Sequence, residues 1–173
     1  VSAPDEWHYR NRVQLKCRLT SKGLVVGFYR PGSHSVVDVD KCRLVAPPIQ
    51  QTLDLLRDEL ADASCVDCVS QVDVACGDDG QVRIVLHADA KGHKQLRSWL
   101  QAFAEQHQIS ACLQTGGKET LEVVHGESDL TVTVDQPEIN LSYGPGGFVQ
   151  VNSAQNRKML AAMLELLELD GSE

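Results

Sequence analysis

Residues 13–28 alternate apolar and polar side chains around a short turn, which is typical of two paired strands with one buried face. The first strand would place its apolar residues on that face at Val13, Leu15, Cys17 and Leu19. After the turn at residues 21–23, the pattern resumes at Leu24, Val26 and Phe28. We therefore predict a hairpin whose other face is polar and basic, because it carries Lys16 and Arg18.

Two helices and further strands are predicted from the middle of the chain. The first helix begins at Pro47-Pro48 and would bury Ile49, Leu53, Leu56 and Leu60. The second would bury Leu96, Trp99, Leu100 and Phe103. Strands are predicted at 69–75, 82–86, 110–114, 121–124 and 130–134, the first two joined by a turn at 77–80. This order predicts an α+β fold, a single domain with a mainly antiparallel sheet and helices packed on it.

A connecting helix is predicted at the C-terminal end. Asn152 can cap its free amides, and Gln155 can reach back in a capping box. The apolar stripe of this helix is expected to pack in a core or an interface, and it comprises Met159, Leu160, Met163, Leu164 and Leu167. We expect a central domain over residues 1–143, then a linker, motif and helix over 144–173, with a following domain after Leu169.

The charge distribution is uneven. The chain has a net charge of -8, which argues against its binding nucleic acid over its whole surface. Residues 1–45 nevertheless carry eight basic and four acidic side chains, a balance of +4, so residues 46–173 carry -12. This asymmetry indicates one end that faces RNA and an acidic remainder that is solvated or faces a partner, although ordinary scatter over polar strand faces would also produce it.

Six cysteines raise the question of a metal or disulfide site. Cys65 and Cys68 have the two-residue gap of zinc and redox sites, but a second such pair is missing. Cys17, Cys76 and Cys112 lie in strand patterns, where cysteine acts as a small apolar residue. We expect structural or incidental thiols at these five positions, without disulfides. Cys42 is treated separately below.

Three stretches of the chain resemble the RNA 5-methyluridine methyltransferase family. They are Tyr9-Arg10-Asn11-Arg12, then residues 27–42, which run from Gly27-Phe28-Tyr29-Arg30 to Lys41-Cys42, and residues 147–156, which contain Phe148-Val149-Gln150-Val151-Asn152 at the end of the glycine-rich run 144–147. In this family a central domain lies between an RNA-binding module and a Rossmann-like catalytic domain, and it helps to clamp the RNA. The resemblance implies that this chain is such a central domain.

The resemblance also implies roles for individual residues. Phe148, Gln150 and Asn152 would lie next to the substrate uridine and S-adenosylmethionine, since an aromatic ring can support a flipped base and an amide can donate and accept. The alternatives are core packing for Phe148 and a solvated strand position for Gln150. The residues expected to contact RNA are Arg10, Arg12, Arg30 and His34. Cys42 would be one thiolate of a 4Fe-4S cluster, whose other ligands lie upstream in many members. Its alternative is a free thiol, which we expect in this chain alone.

The catalytic parts of the family are expected outside this sequence. The family attacks uridine with a cysteine thiolate and binds S-adenosylmethionine at a glycine-rich loop, and neither context occurs here. We expect a chain that is inert alone and needs further domains of the same polypeptide, with ribosomal RNA favoured over transfer RNA as substrate. A stand-alone protein-interaction module is the alternative. The sequence lacks a long apolar run and a secretory signal, so we expect a cytoplasmic location without a membrane partner.

Overall fold

A computed structural model describes residues 2–134 and 139–167 of the chain. Seven strands form one sheet in the order β3-β2-β1-β4-β5-β6-β7, and two further strands, β8 and β9, form a separate hairpin. The strands are β1 Arg12–Thr20, β2 Gly23–Tyr29, β3 Val36–Asp38, β4 Val69–Cys76, β5 Val82–Ala88, β6 Ser110–Gln114, β7 Leu121–His125, β8 Leu130–Val134 and β9 Ile139–Tyr143. The helices are α1 Pro47–Leu60, α2 His93–His107 and α3 Ser153–Leu167.

The α+β fold class with a mainly antiparallel sheet is confirmed. Neighbouring strands of the large sheet run antiparallel, except that β5 and β6 are parallel. A parallel pair needs a crossover, which α2 provides. The short edge strand β3 and the strand β9 were not predicted, because three residues are too few for a periodicity and β9 has exposed side chains at most positions.

One face of the large sheet forms the hydrophobic core with α1 and α2. The register aligns Val13, Val74, Ile84 and Ala111 in one row across β1, β4, β5 and β6. These side chains join the predicted apolar faces of both helices in a single buried cluster, which includes Ile49, Leu53, Leu56, Leu60, Leu96, Leu100 and Phe103. Pro47 begins α1, where its missing amide proton costs nothing. The predicted helix faces are therefore confirmed.

Two apolar residues of the first hairpin do not reach this core. Leu19 and Phe28 are each 46% exposed, whereas the prediction placed both on the buried face. Pairing of β1 with β2 begins at Lys16 and Gly27, and beyond that point Phe28 pairs only with Val37 of β3. Phe28 is thus exposed because β2 leaves β1 before reaching it.

The opposite face of the large sheet is covered in part by the β8–β9 hairpin. The buried guanidinium of Arg83 on β5 donates to the carbonyls of Ser128 and Tyr143 and lies 5.3 Å from the ring of Tyr143. The backbone of Asp78 donates to the Thr131 carbonyl. These contacts attach the small hairpin to the sheet.

The predicted C-terminal helix is confirmed as α3, but its apolar stripe is exposed, and its role as a connection to a further domain stays a prediction. Asn152 caps the helix through a 2.9 Å hydrogen bond from the Gln155 amide to its side-chain oxygen. Arg157 pairs with Asp78 at 3.2 Å, whereas Met159, Met163, Leu164 and Leu167 are 42% to 59% exposed. The expected following segment at residues 169–173 lies outside the described residues, and the boundary at residue 144 stays a prediction.

No helix in the described part of the chain is both long enough and apolar enough to cross a bilayer.

Arg57 joins α1 to the first hairpin. Its guanidinium donates to the carbonyls of Val26 and Val39 at 2.7 Å and pairs with the Asp38 carboxylate at 2.8 Å. Burial would raise the pKa of Asp38, but the hydrogen bonds from Arg57 and from the Val26 amide hold it below its usual value. These three hydrogen bonds from one guanidinium fix the position of β2 and β3 relative to α1.

We expect Arg57→Ala to lower the free energy of unfolding by about 2 kcal/mol, since buried carbonyl groups and a carboxylate lose their donor. Urea denaturation would measure this. Arg18→Ala is the matched control, because Arg18 is exposed on β1, and it should change stability by less than about 0.5 kcal/mol. Equal effects of the two substitutions would contradict the role given to Arg57.

Candidate nucleic-acid interface

The segment that carries Phe148 and Gln150 is held by the start of β1. The Arg10 amide donates to the Leu44 carbonyl, the Ala46 amide donates to the Arg10 carbonyl, and both bonds measure 2.8 Å. On the other side, the Asn11 amide donates to the Val151 carbonyl at 2.9 Å. Residues 10–11 therefore lie between two other segments of backbone and fix both of them.

The Asn11 side chain adds a second attachment. It is 7% exposed, and its amide nitrogen donates to the Gln150 carbonyl at 3.2 Å and to the Ser153 hydroxyl at 2.9 Å. These bonds hold the backbone at Gln150 and at the first residue of α3. Asn11 was not predicted as a site residue, and the only sequence signal was its place in the Tyr9–Arg12 stretch.

Arg12 holds the glycine-rich turn that precedes the motif. Its guanidinium donates to the Gly147 carbonyl at 3.1 Å and lies 3.5 Å from the Asp73 carboxylate. Gly146 has a φ of +76°, which a residue with a side chain rarely adopts, so the turn needs glycine there. The predicted RNA contact of Arg12 stays a prediction, and the bonds in this chain give the side chain a positioning role.

The motif presents its side chains to solvent. Phe148 is 86% exposed, so the alternative that it packs in the core is wrong. Gln150 is also exposed, while its backbone carbonyl is bound by Asn11. Asn152, in contrast, uses its side-chain oxygen to cap α3. A fixed backbone with exposed aromatic and amide side chains is suited to contact an unpaired base.

A groove of about 460 Å³ opens beside Phe148, where β2 leaves β1. It is lined by Arg10, Arg12, Val13, Gln14, Phe28, Cys42, Leu44, Phe148, Val149 and Val151. The Arg10 Nε atom is buried and has no hydrogen-bond partner among the residues that the structure describes. The groove thus combines apolar walls with two arginine side chains, Arg10 and Arg12.

Arg30 and His34 lie in an exposed loop after β2. The Arg30 amide donates to the Ser35 carbonyl at 2.9 Å, which closes the loop, and the His34 ring contacts the Tyr29 ring at 5.6 Å. Arg30 follows Phe28 of the groove by two residues. The structure therefore brings Arg30 to the same end of the first hairpin as Arg12, and RNA binding by Arg30 and His34 stays a prediction.

Cys42 lines the groove with a partly buried thiol, and its amide donates to the Gln50 side chain at 2.9 Å. In the described ranges, no three His, Cys, Asp or Glu side chains come together as a metal site. Cys17, Cys76 and Cys112 are buried in strands, and burial raises the pKa of Cys17 to about 12 and that of Cys76 to about 11. These thiols are poor nucleophiles because the thiolate is disfavoured.

Comparisons with known proteins identify similar sequences that are much longer. The chain is 32% identical to the 23S rRNA (uracil(1939)-C(5))-methyltransferase RlmD of Nitrosospira multiformis, over 94% of this chain and 38% of that protein. It is 33% identical to the protein of the same name from Bordetella parapertussis, over 94% of this chain and 36% of that protein. No family model matches the chain.

A solved structure has the same fold. It is the Pyrococcus abyssi tRNA (uracil-54, C5)-methyltransferase in complex with S-adenosyl-L-homocysteine, with a TM-score of 0.73 and 17% identity, matched over 98% of this chain and 43% of that one. The chain spans little more than a third of the length of the curated relatives named above. The resemblance indicated by its motifs is confirmed: nearly the whole chain is similar to one part of the RNA uracil-C5 methyltransferases.

Proposed function

We propose that this chain is the central, RNA-contacting part of an S-adenosylmethionine-dependent methyltransferase that acts on uridine C5 of ribosomal RNA. The observation that carries the proposal is the exposed Phe148–Gln150 motif, whose backbone is bound by Asn11. The two relatives of about 32% identity, both named for 23S rRNA, support ribosomal over transfer RNA as the substrate.

The motif would position the target uridine. Phe148 offers an exposed ring on which a base out of its stack can lie, and the Gln150 amide can donate to and accept from the edge of a base. Because Asn11 and Arg12 fix the backbone on both sides of Phe148, the backbone that carries the two side chains loses little further freedom on binding. Asn152 acts indirectly, by capping α3.

The chain would be inert alone. The reaction of the proposed enzyme needs a nucleophilic thiolate, whereas the strand cysteines are buried with raised pKa values. S-adenosylmethionine would supply the methyl group when bound by another part of the polypeptide. The share of the relatives' length that this chain leaves unmatched is large enough to hold such a catalytic domain and an RNA-binding module.

Electrostatics would guide the RNA to the groove. Arg10 and Arg30 lie at this end of the hairpin and have no ion pair with a carboxylate of the described residues, and the exposed His34 lies in the same loop as Arg30. The net charge of -8 opposes RNA binding elsewhere on the surface. Binding by the isolated chain should therefore be weak and depend strongly on salt.

Cys42 fits one ligand position of a 4Fe-4S cluster in the longer enzyme. Its thiol is a soft donor on an open groove, and one thiolate cannot hold a cluster that requires four. The remaining ligands would come from further residues of the polypeptide. Six unpaired cysteines fit a reducing compartment, which supports a cytoplasmic location for the enzyme.

A protein-interaction module is the second candidate. The exposed stripe of α3 favours it, because Met159, Met163 and Leu164 form an apolar surface of the kind that binds another protein. RNA binding separates the candidates, since the interaction module has no need to bind RNA at the Arg10 end.

The first test measures RNA binding by fluorescence anisotropy at several salt concentrations. We expect the double substitution Arg10→Ala and Arg30→Ala to weaken binding and to reduce the slope of log K against log salt by roughly 0.7 for each lost phosphate contact. The matched control is Arg18→Ala with Lys22→Ala, which removes two exposed charges near the hairpin turn. Identical affinities and salt slopes for the two double variants would refute the proposal that RNA binds at the end of the hairpin that carries Arg10 and Arg30.

The second test concerns the motif in the full-length enzyme proposed here. Gln150→Ala should lower methyl transfer by roughly 5- to 150-fold without a change in melting temperature, since an exposed amide loses a hydrogen bond of about 1 to 3 kcal/mol. Asn11→Ala should lower both activity and melting temperature, because its buried amide holds two segments. Methyl incorporation and thermal melts measure this. Full activity of the Gln150→Ala variant would contradict the proposal that Gln150 contacts the substrate.

The third test measures iron per protein chain. The isolated chain should contain none, because Cys42 is a single thiolate. In the full-length enzyme, Cys42→Ser should lower the iron content, whereas Cys68→Ser, which changes another partly exposed cysteine, should not. Stoichiometric iron in the isolated chain, or an enzyme whose iron is insensitive to Cys42→Ser, would contradict the assignment.

A further inference from the structure

A second pocket lies on the sheet face opposite the helices, next to the glycine-rich turn. Its volume is about 280 Å³, and it is lined by Arg12, Gln14, Asp73, Val85, His87, Gln114, Lys118, Leu121, Pro145 and Gly146. Sequence alternation across β1, β4, β5 and β6 places these side chains on one face, since Gln14 pairs with Asp73 and His87 with Gln114. Val85 and Leu121 supply an apolar surface between the polar groups.

Asp73 organises the polar side of this pocket. Its side chain is only 11% exposed and accepts hydrogen bonds from the amide groups of Gln14 and Gln71, both at 2.7 Å. Arg12 and His87 each lie 3.5 Å from the same carboxylate. Although burial would raise the pKa of Asp73, hydrogen bonds from His87, Gln14 and Gln71 keep it below its usual value. The carboxylate is thus saturated by the protein and orients its neighbours.

The neighbours of Asp73 have acceptor groups left over. Gln14 uses its amide nitrogen on Asp73 and Gln114 uses its own on the Gly116 carbonyl, so neither side-chain carbonyl accepts a bond from a described residue. Lys118 is exposed at the rim. The pocket therefore has two carbonyl acceptors and an apolar surface inside and the Lys118 ammonium group at its rim.

This chemistry excludes two simple ligands. Bare phosphate would meet the Asp73 carboxylate inside the pocket, and a metal ion would find one carboxylate that is already saturated. A volume of about 280 Å³ lies at the lower limit of the roughly 300 to 1,000 Å³ of sites for organic ligands, so the pocket suits a small one. A planar heterocycle with amino hydrogens satisfies the acceptors and covers Val85 and Leu121.

We propose that this pocket holds one unpaired nucleotide of the RNA, whose base carries an exocyclic amino group, as adenine and cytosine do. Lys118 at the rim binds its phosphate. Arg12 and Gln14 line both this pocket and the Phe148 groove, and Pro145 is three residues from Phe148, at most about 11 Å away along the chain. The pocket thus binds a neighbour of the base held at Phe148, and this inference rests on the proposed function.

The test titrates the isotope-labelled chain with adenosine, cytidine and uridine 5′-monophosphates and with inorganic phosphate, followed by NMR. The amino-bearing nucleotides should shift signals of Gln14, His87 and Gln114 and bind roughly 3- to 10-fold more tightly than uridine monophosphate, as expected for one hydrogen bond. Inorganic phosphate should leave these signals unchanged. Equal affinity for all three nucleotides, or shifts elsewhere only, would overturn the proposal.

Substitutions distinguish this inference from the proposed function. Gln114→Leu keeps the size of the side chain and should remove the preference for amino-bearing nucleotides, whereas Gln106→Leu, on the exposed surface of α2, should keep it. If Gln114→Leu leaves the nucleotide preference unchanged, the assignment of the nucleotide to this pocket is wrong. RNA binding that depends on Arg10 and Arg30 would still stand in that case, whereas a loss of that dependence would refute the proposed function itself.

Discussion

The hydrogen bonds of residues 10–12 hold the interface together. Arg10 pairs with the segment that leads into α1, Asn11 binds the Phe148–Gln150 segment and the start of α3, and Arg12 binds the glycine-rich turn. Each of these segments is irregular, and irregular backbone needs partners for its polar groups when it is partly buried. Three consecutive residues at the start of β1 supply those partners, and the exposed side chains of Phe148 and Gln150 depend on them for a fixed position.

The two faces of the large sheet differ in polarity. One face is apolar and joins α1 and α2 in the core. The other carries Arg12, Gln14, Asp73, Arg83 and His87, which are polar but largely hydrogen-bonded to one another or to the β8–β9 hairpin. A polar face of this kind adds less hydrophobic stability than a second apolar layer would, and it allows hydrogen bonds with ligands.

The sequence predicts much of the fold and less of the interface. The helices and most strands follow from periodicity, because Ile49 to Leu60 and Val82 to Leu86 each keep one apolar face. Phe28 was misplaced because strand periodicity does not indicate where β2 leaves β1. Asn11 and Asp73 were missed as organising residues, since their partners at Gln150, Ser153 and His87 lie far from them in sequence. For Asp73, the sequence signal was the presence of a carboxylate within the largely apolar strand Val69–Cys76.

The hydrogen bond between Asn11 and Ser153 joins residues 142 positions apart. Contacts of such long separation form late in folding, because the entropy of closing the loop must be offset by structure already made in between. The core under α1 and α2 can form from nearer neighbours, but the interface requires that residues 10–12 meet residues 147–153. A chain that is still incomplete at the ribosome can therefore have a folded core while Phe148 and Gln150 have no fixed position.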